Sequence, residues 1–138
     1  MAQPVLLDSC AAIWLMNGDA MSANSRAAIN AAQHENAGVY VSPITAWEIA
    51  TLVAQNRLQL TLSPEAWFDN LLRLPGVRLT AMPPKVLIAS ASLPGAPPKD
   101  PVDRIIAATS RTCGFSLITR NGELMLYARA GHIDAVGC

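Results

Sequence analysis

Four acids stand where a protein pressed for solubility would not place them. Asp8 follows directly on the apolar run Val5-Leu6-Leu7, and Glu48 has Ile44 four residues before it and Leu52 four after, with Trp47 and Ile49 alongside. Asp103 has Ile106 and Ala107 three and four residues on, and Asp100 precedes Pro101. Residues three and four apart share a helix face, so Glu48 and Asp103 project from apolar stripes. Burying an isolated ionised carboxylate costs several kcal/mol, or drives its pKa up until it neutralises. With only ten Asp and Glu in 138 residues, such placement asks for a cation or a partner. Carboxylates converging without histidine or thiolate favour the hard divalent cations Mg2+ or Mn2+ over zinc. A cation held this way keeps several waters, which suits activation of a water to attack a phosphodiester. A hydrolytic metal site is the chemistry these residue types serve best.

Each acid also has a plainer reading. Asp8 fits the cap of a helix beginning near Ala11. Asp100, with proline next, is fully explained as an N-cap, and Asp103 then falls in the first turn, where the helix N-terminus helps keep it ionised. Glu48 can be half of an ion pair with Arg57 or Arg104. A buried ion-pair network with no metal is therefore a rival account.

Composition bounds the setting. Charged residues are 14% against a typical share of about 25%, apolar ones are 51%, and the formal net charge is zero. One well-buried domain over residues 1–138 is expected, with no broad basic footprint. No apolar run reaches the roughly 18 residues of a membrane span, and Met1-Ala2-Gln3-Pro4 has no basic signal region. Cysteines at 10, 113 and 138 fit neither a disulfide framework nor a metal knuckle. A soluble, reduced, cytoplasmic protein is expected. Glycine-rich phosphate fingerprints are absent, and the only histidines, His34 and His132, offer Ser9, Ser42 and Thr119 no plausible relay. Aromatics at 5% are too few for a sugar groove.

The elements that must position the acids alternate. Strands are predicted over 5–7, 39–41, 77–79, 115–119 and 132–136, and the loop 93–99 is too short to link domains. Helices are predicted over 11–16, from Ser22, from Ser42-Pro43 to about Asn56, from Ser63-Pro64, over 84–93, from Asp100-Pro101 to a stop at Gly114, and over 122–130. Strands alternating with helices imply a mostly parallel, Rossmann-like sheet covered on both faces, a three-layer α/β/α sandwich. Ligands of such sheets bind beyond the carboxyl ends of the strands, where Asp8 falls.

Taken in order, Leu6-Leu7-Asp8-Ser9, Ser42-Pro43-Ile44-Thr45-Ala46-Trp47-Glu48-Ile49, Asp100-Pro101-Val102-Asp103-Arg104-Ile105-Ile106-Ala107 and Leu117-Ile118-Thr119-Arg120-Asn121 resemble the PIN-domain family. Within it the motifs are closest to ribonuclease toxins of the VapC type from toxin–antitoxin pairs. The resemblance spans essentially the whole chain. It implies an Mg2+- or Mn2+-dependent endoribonuclease with Asp8, Glu48 and Asp103 as its metal-binding acids and Asp100 beside them. It also implies an RNA substrate, a homodimer and a small antitoxin partner. Exposed Trp and Leu positions over 42–74 would suit a partner groove, although most of them also suit a core. The family usually carries a fourth acid where this chain has Asn121, whose amide oxygen can still ligate a cation or orient a water. That departure keeps alive a catalytically weak PIN-fold protein that binds RNA or its antitoxin. Arg104, next to Asp103, and Arg120, next to Asn121, are candidates for holding substrate phosphates. Pairing with neighbouring acids is the alternative for both.

Overall fold

Strands of three and four residues build the sheet, and the central ones are buried throughout, as Val5-Leu6-Leu7 with no polar alternation announces. In the computed structural model these are β1 (Val5–Leu7), β2 (Val39–Val41), β3 (Val77–Leu79), β4 (Ser116–Thr119) and β5 (Asp134–Gly137). The structure describes residues 2–138. Met1, the first residue of the segment read above for a signal, lies outside them. The strands lie in the order β3-β2-β1-β4-β5, and every neighbouring pair is parallel. Order reverses at β1, which pairs with β2 on one side and β4 on the other. That makes the carboxyl ends of β1 and β4 the switch point of the sheet.

The connecting helices are α1 (Ser9–Asn17), α2 (Ala23–His34), α3 (Pro43–Ala54), α4 (Pro64–Leu72), α5 (Pro84–Ala91), α6 (Pro101–Cys113) and α7 (Gly122–Arg129). Side chains along each strand alternate between two cores. Val5, Leu7, Val39, Val41 and Ile118 face Ala11, Ile29, Ile49, Trp67 and Leu71 of the first four helices. Leu6 and Leu117 face Val102, Ile106, Leu124 and Tyr127 of α6 and α7. Leu6, Leu7, Leu117 and Ile118 are fully buried, each stabilising the fold by about 1.5–3 kcal/mol. The three layers expected from the sequence are present, and no helix among the described residues is long and apolar enough to cross a membrane.

Several element ends shift by one or two residues from expectation, and two of the starts shift for a visible physical reason. Helix α1 begins at Ser9, not Ala11, because Asp8 caps it and leaves no linker after β1. Strand β5 begins at Asp134, after His132 has stacked its ring on Tyr127 at 4.7 Å. Helix α6 stops where expected, with Gly114 in the left-handed region at φ 71°.

Candidate active site

Asp8 is fixed from both sides. Its backbone N–H donates to the Ile118 carbonyl at 3.2 Å, extending the β1–β4 ladder one residue. Its Oδ1 accepts from the Ala11 N–H at 2.7 Å, capping α1, while Oδ2 accepts from the Thr119 hydroxyl at 2.5 Å. Thr119 Oγ1 in turn accepts from the Asn121 N–H at 3.0 Å. Asn121 Nδ2 donates to Asp103 Oδ2 at 3.2 Å. A chain of hydrogen bonds through the end of β4 thus connects Asp8 to Asp103.

Glu48 and Asp103 arrive on helices. Ser42 ends β2, accepts from the Ile44 N–H at 3.2 Å and, with Pro43 at the first helical position, launches α3 from the carboxyl edge of the sheet. Asp100 Oδ1 accepts from the Val102 and Asp103 N–H groups at 2.9 and 3.1 Å, launching α6. Asp8, Glu48, Asp100, Asp103 and Asn121 all line one cavity of about 500 Å3. Ser9, Cys10, Trp14, Arg57 and Arg120 complete much of its wall. A second cavity of about 460 Å3 shares Glu48, Leu52, Arg57 and Asp100 with the first and runs on to Trp47 and Ile105. Trp47 is 58% exposed there, whereas Trp67 and Leu71 of the same helical pair lie in the core.

The acids repel one another. Burial pushes the Asp8 carboxyl above the usual range against the pull of the Thr119 and Ala11 hydrogen bonds, and the Glu48 charge adds to the rise. Asp103 is pushed up to about 7, first by burial, then by Asp100, Glu48, Asp8 and Glu123. Burial and the charges of Asp8, Glu48 and Asp103 raise the neighbouring Cys10 thiol.

The two arginines that would make Glu48 purely structural bond elsewhere. Arg57 donates to Gln55 Oε1 at 3.5 Å. Arg104 Nε, Nη1 and Nη2 donate to the carbonyls of Ser90, Pro98 and Ala91 at 2.9, 3.2 and 3.2 Å. Arg104 therefore ties α5 and the 93–99 loop to α6 and is not brought to the cavity, unlike the placement expected of a phosphate holder. Arg120 is brought there, and donates Nε to the Cys138 carbonyl at 3.0 Å. Arg57 belongs on the same wall, although in the sequence only possible pairing with Glu48 singles it out.

Asn121 turns its amide nitrogen toward the acids. Its Oδ1 accepts from the Leu124 N–H at 3.0 Å, capping α7, so it shows the acids a donor and not a free ligand oxygen. Glu123 is exposed and accepts from the Lys99 N–H at 3.4 Å, so it does not reach inward as a replacement acid.

A family model described as the PIN domain matches residues 5–130. The chain belongs to the PIN-domain family. It is 34% identical over 120 residues to Ribonuclease VapC22 of Mycobacterium tuberculosis, covering 87% of this chain and 88% of that protein. The PIN fold is shared with solved toxin–antitoxin assemblies. One is VapBC2 from Rickettsia felis bound to a DNA fragment from its promoter, with TM-score 0.65, 12% identity and coverage of 97% of this chain and 98% of that one. DNA-bound VapBC from Salmonella typhimurium gives 0.64 at 19% identity, covering 99% and 98%. A toxin–antitoxin complex from Klebsiella pneumoniae gives 0.60 at 20%, covering 96% and 95%.

Whether this PIN domain suits a metal is decided by its donors. The groups offered are carboxylate oxygens, as a hard divalent cation requires. Among the described residues, the buried Ser9 Oγ on the same wall has no hydrogen-bond partner, leaving a polar atom for a water to satisfy. Among those residues, too, no group of three or more His, Cys, Asp or Glu is already closed up to hold a metal. In this arrangement Asp8 and Asp103 accept hydrogen bonds from Thr119 and Asn121.

Proposed function

We propose that this PIN domain is a metal-dependent endoribonuclease, the toxin of a toxin–antitoxin pair, working as one domain over residues 1–138 in the cytoplasm with no membrane attachment. The observation that carries the reading is the convergence of Asp8, Glu48 and Asp103 on one cavity at the switch point, with Arg57 and Arg104 bonded to groups other than Glu48. The likeness to a ribonuclease supports the substrate class. Asp8, Glu48 and Asp103 would hold Mg2+ or Mn2+, with Asp100 at the cavity's edge. When bound, such a cation supplies charge neutralisation at the phosphate and a more acidic water.

The chain's own residues set up the rest. Thr119 and Ala11 hold Asp8 in one rotamer, and Asn121 holds Asp103. Arg120, with Arg57 lining the same cavity, meets the backbone phosphates of RNA. The apolar groove past Trp47 suits protein contacts, in keeping with an antitoxin partner and a homodimer. A second reading, a PIN-fold protein that binds RNA or antitoxin but cleaves weakly, is favoured by one observation. The usual fourth acid is Asn121, and its oxygen is committed to capping α7.

Incubating antitoxin-free protein with total bacterial RNA in Mg2+, Mn2+ and EDTA, with Asp8→Asn as control, decides between them. Discrete cleavage that needs metal and vanishes in the variant is the expected result. No cleavage from folded protein that binds Mn2+ would establish the binding-only reading. No Mn2+-dependent rise in Tm would remove the metal altogether.

A further inference from the structure

Arg120 is held in a way that its neighbours among the acids do not explain. Its guanidinium carbon lies 3.8 Å from the centroid of the Trp14 ring, and both residues line the acid cavity. Its Nε donates to the Cys138 carbonyl at 3.0 Å. That carbonyl is itself anchored, because the Cys138 N–H donates to the Thr119 carbonyl at 3.0 Å, continuing the β4–β5 ladder. Trp14 is half-buried and packs against the core of the α1–α4 layer, while Arg120 is exposed.

A guanidinium on a flexible stem beside three carboxylates is drawn onto them, which would neutralise the site before any cation or substrate arrived. Stacking on an indole face and a bond to an anchored carbonyl oppose that collapse. With Nε engaged, the two terminal nitrogens remain as a planar pair of donors, the geometry that matches phosphate oxygens.

We infer that Trp14 is a positioning residue for substrate: its indole face, with the Cys138 carbonyl, fixes the Arg120 guanidinium at the rim of the cavity, off the carboxylates and open to a backbone phosphate of RNA. This rests on the nuclease reading and adds to it a residue that touches neither metal nor scissile bond. Arg120 binds the phosphate and Trp14 acts through Arg120.

The test is binding of a short fluorescent single-stranded RNA in EDTA, where metal-dependent cleavage is absent, measured by anisotropy across a salt series. The proteins are wild type, Trp14→Phe, Trp14→Leu, Arg120→Ala and the double variant combining Trp14→Leu with Arg120→Ala, each checked by thermal melt. Arg120→Ala and Trp14→Leu should each weaken binding about tenfold and flatten the slope of log K against log salt by about 0.7. Trp14→Phe, which keeps an aromatic face, should bind nearly as wild type. The double variant should bind no worse than Arg120→Ala alone. Additive losses would mean that Trp14 acts independently, and would overturn the proposal, as would wild-type binding by Trp14→Leu. If Trp14→Leu melts below the assay temperature, Trp14→Met carries the same comparison. Wild-type protein that binds no RNA overturns the nuclease reading and this inference together. Tight wild-type binding that ignores both substitutions overturns this inference alone.

Discussion

Replacing Asp103 by asparagine should stabilise the metal-free protein at pH 8 and leave it unchanged near pH 4. In the folded chain burial, Asp100, Glu48, Asp8 and Glu123 raise this carboxyl from the ordinary 3.8 to about 7. Near pH 4 the unfolded carboxyl is only about half ionised and the folded one neutral, so its contribution is still small. As pH rises toward 7 the unfolded chain ionises first, so stability falls through that window and stays lower above it. The full interval corresponds to about 4 kcal/mol at 1.36 kcal/mol per pKa unit. Asp103 is only half-buried, and solvent screening brings the expected gain down to about 1–2 kcal/mol. For a chain of this size that is a Tm rise of about 3–8 °C. Asparagine keeps the shape and can still offer an oxygen to Asn121 Nδ2, so little packing is lost. Melts of both proteins in EDTA from pH 4 to 8 check this. Mn2+ should reverse the order at pH 8, because a ligand at 100 times its Kd stabilises by about 2.7 kcal/mol and wild type has the more complete site. A variant less stable than wild type in EDTA at every pH would refute the repulsion argument and restore the ion-pair account.

Asn121→Asp keeps the cap on Leu124 but replaces the donor facing Asp103 with a carboxylate. Its metal-free Tm at pH 8 should fall, and the Tm gain on adding Mn2+ should exceed that of wild type, a difference read from paired melts. Arg104→Met strands three carbonyls that now share one guanidinium. Stability should fall by about 1.5–3 kcal/mol in urea titrations, with RNA affinity and its salt dependence unchanged, unlike Arg120→Ala.

The sheet and the acids are legible in the sequence because both rest on local patterns. The continuous apolar triplet Val5-Leu6-Leu7 marks a buried parallel strand, and a carboxylate four residues from Ile44 and from Leu52 is visible without knowing what the helix packs on. Arg104 is misplaced by the same kind of reading, because neighbours in sequence need not be neighbours in space. Successive helix residues point about 100° apart, so Asp103 faces the cavity while Arg104 faces α5 and the 93–99 loop. Nothing local announces that Arg120 stacks on Trp14 or bonds the Cys138 carbonyl, since these contacts join α1, the end of β4 and the last residue of the chain.

Asp8 and Asp100 expose a different gap. In the sequence, cap and ligand look like competing explanations, each able to make the other unnecessary. In the structure Asp8 caps α1 through Oδ1 and turns Oδ2 toward Thr119, and Asp100 caps α6 through Oδ1 while lining the same cavity. The cap fixes the rotamer, the rotamer aims the second oxygen, and the helix N-terminus lowers the cost of keeping the group charged. Helices launched from the carboxyl edge of a parallel sheet put their N-caps where ligands bind. On this fold, therefore, an acid well explained as a cap is a stronger site candidate, because the same hydrogen bonds that account for its presence also orient it.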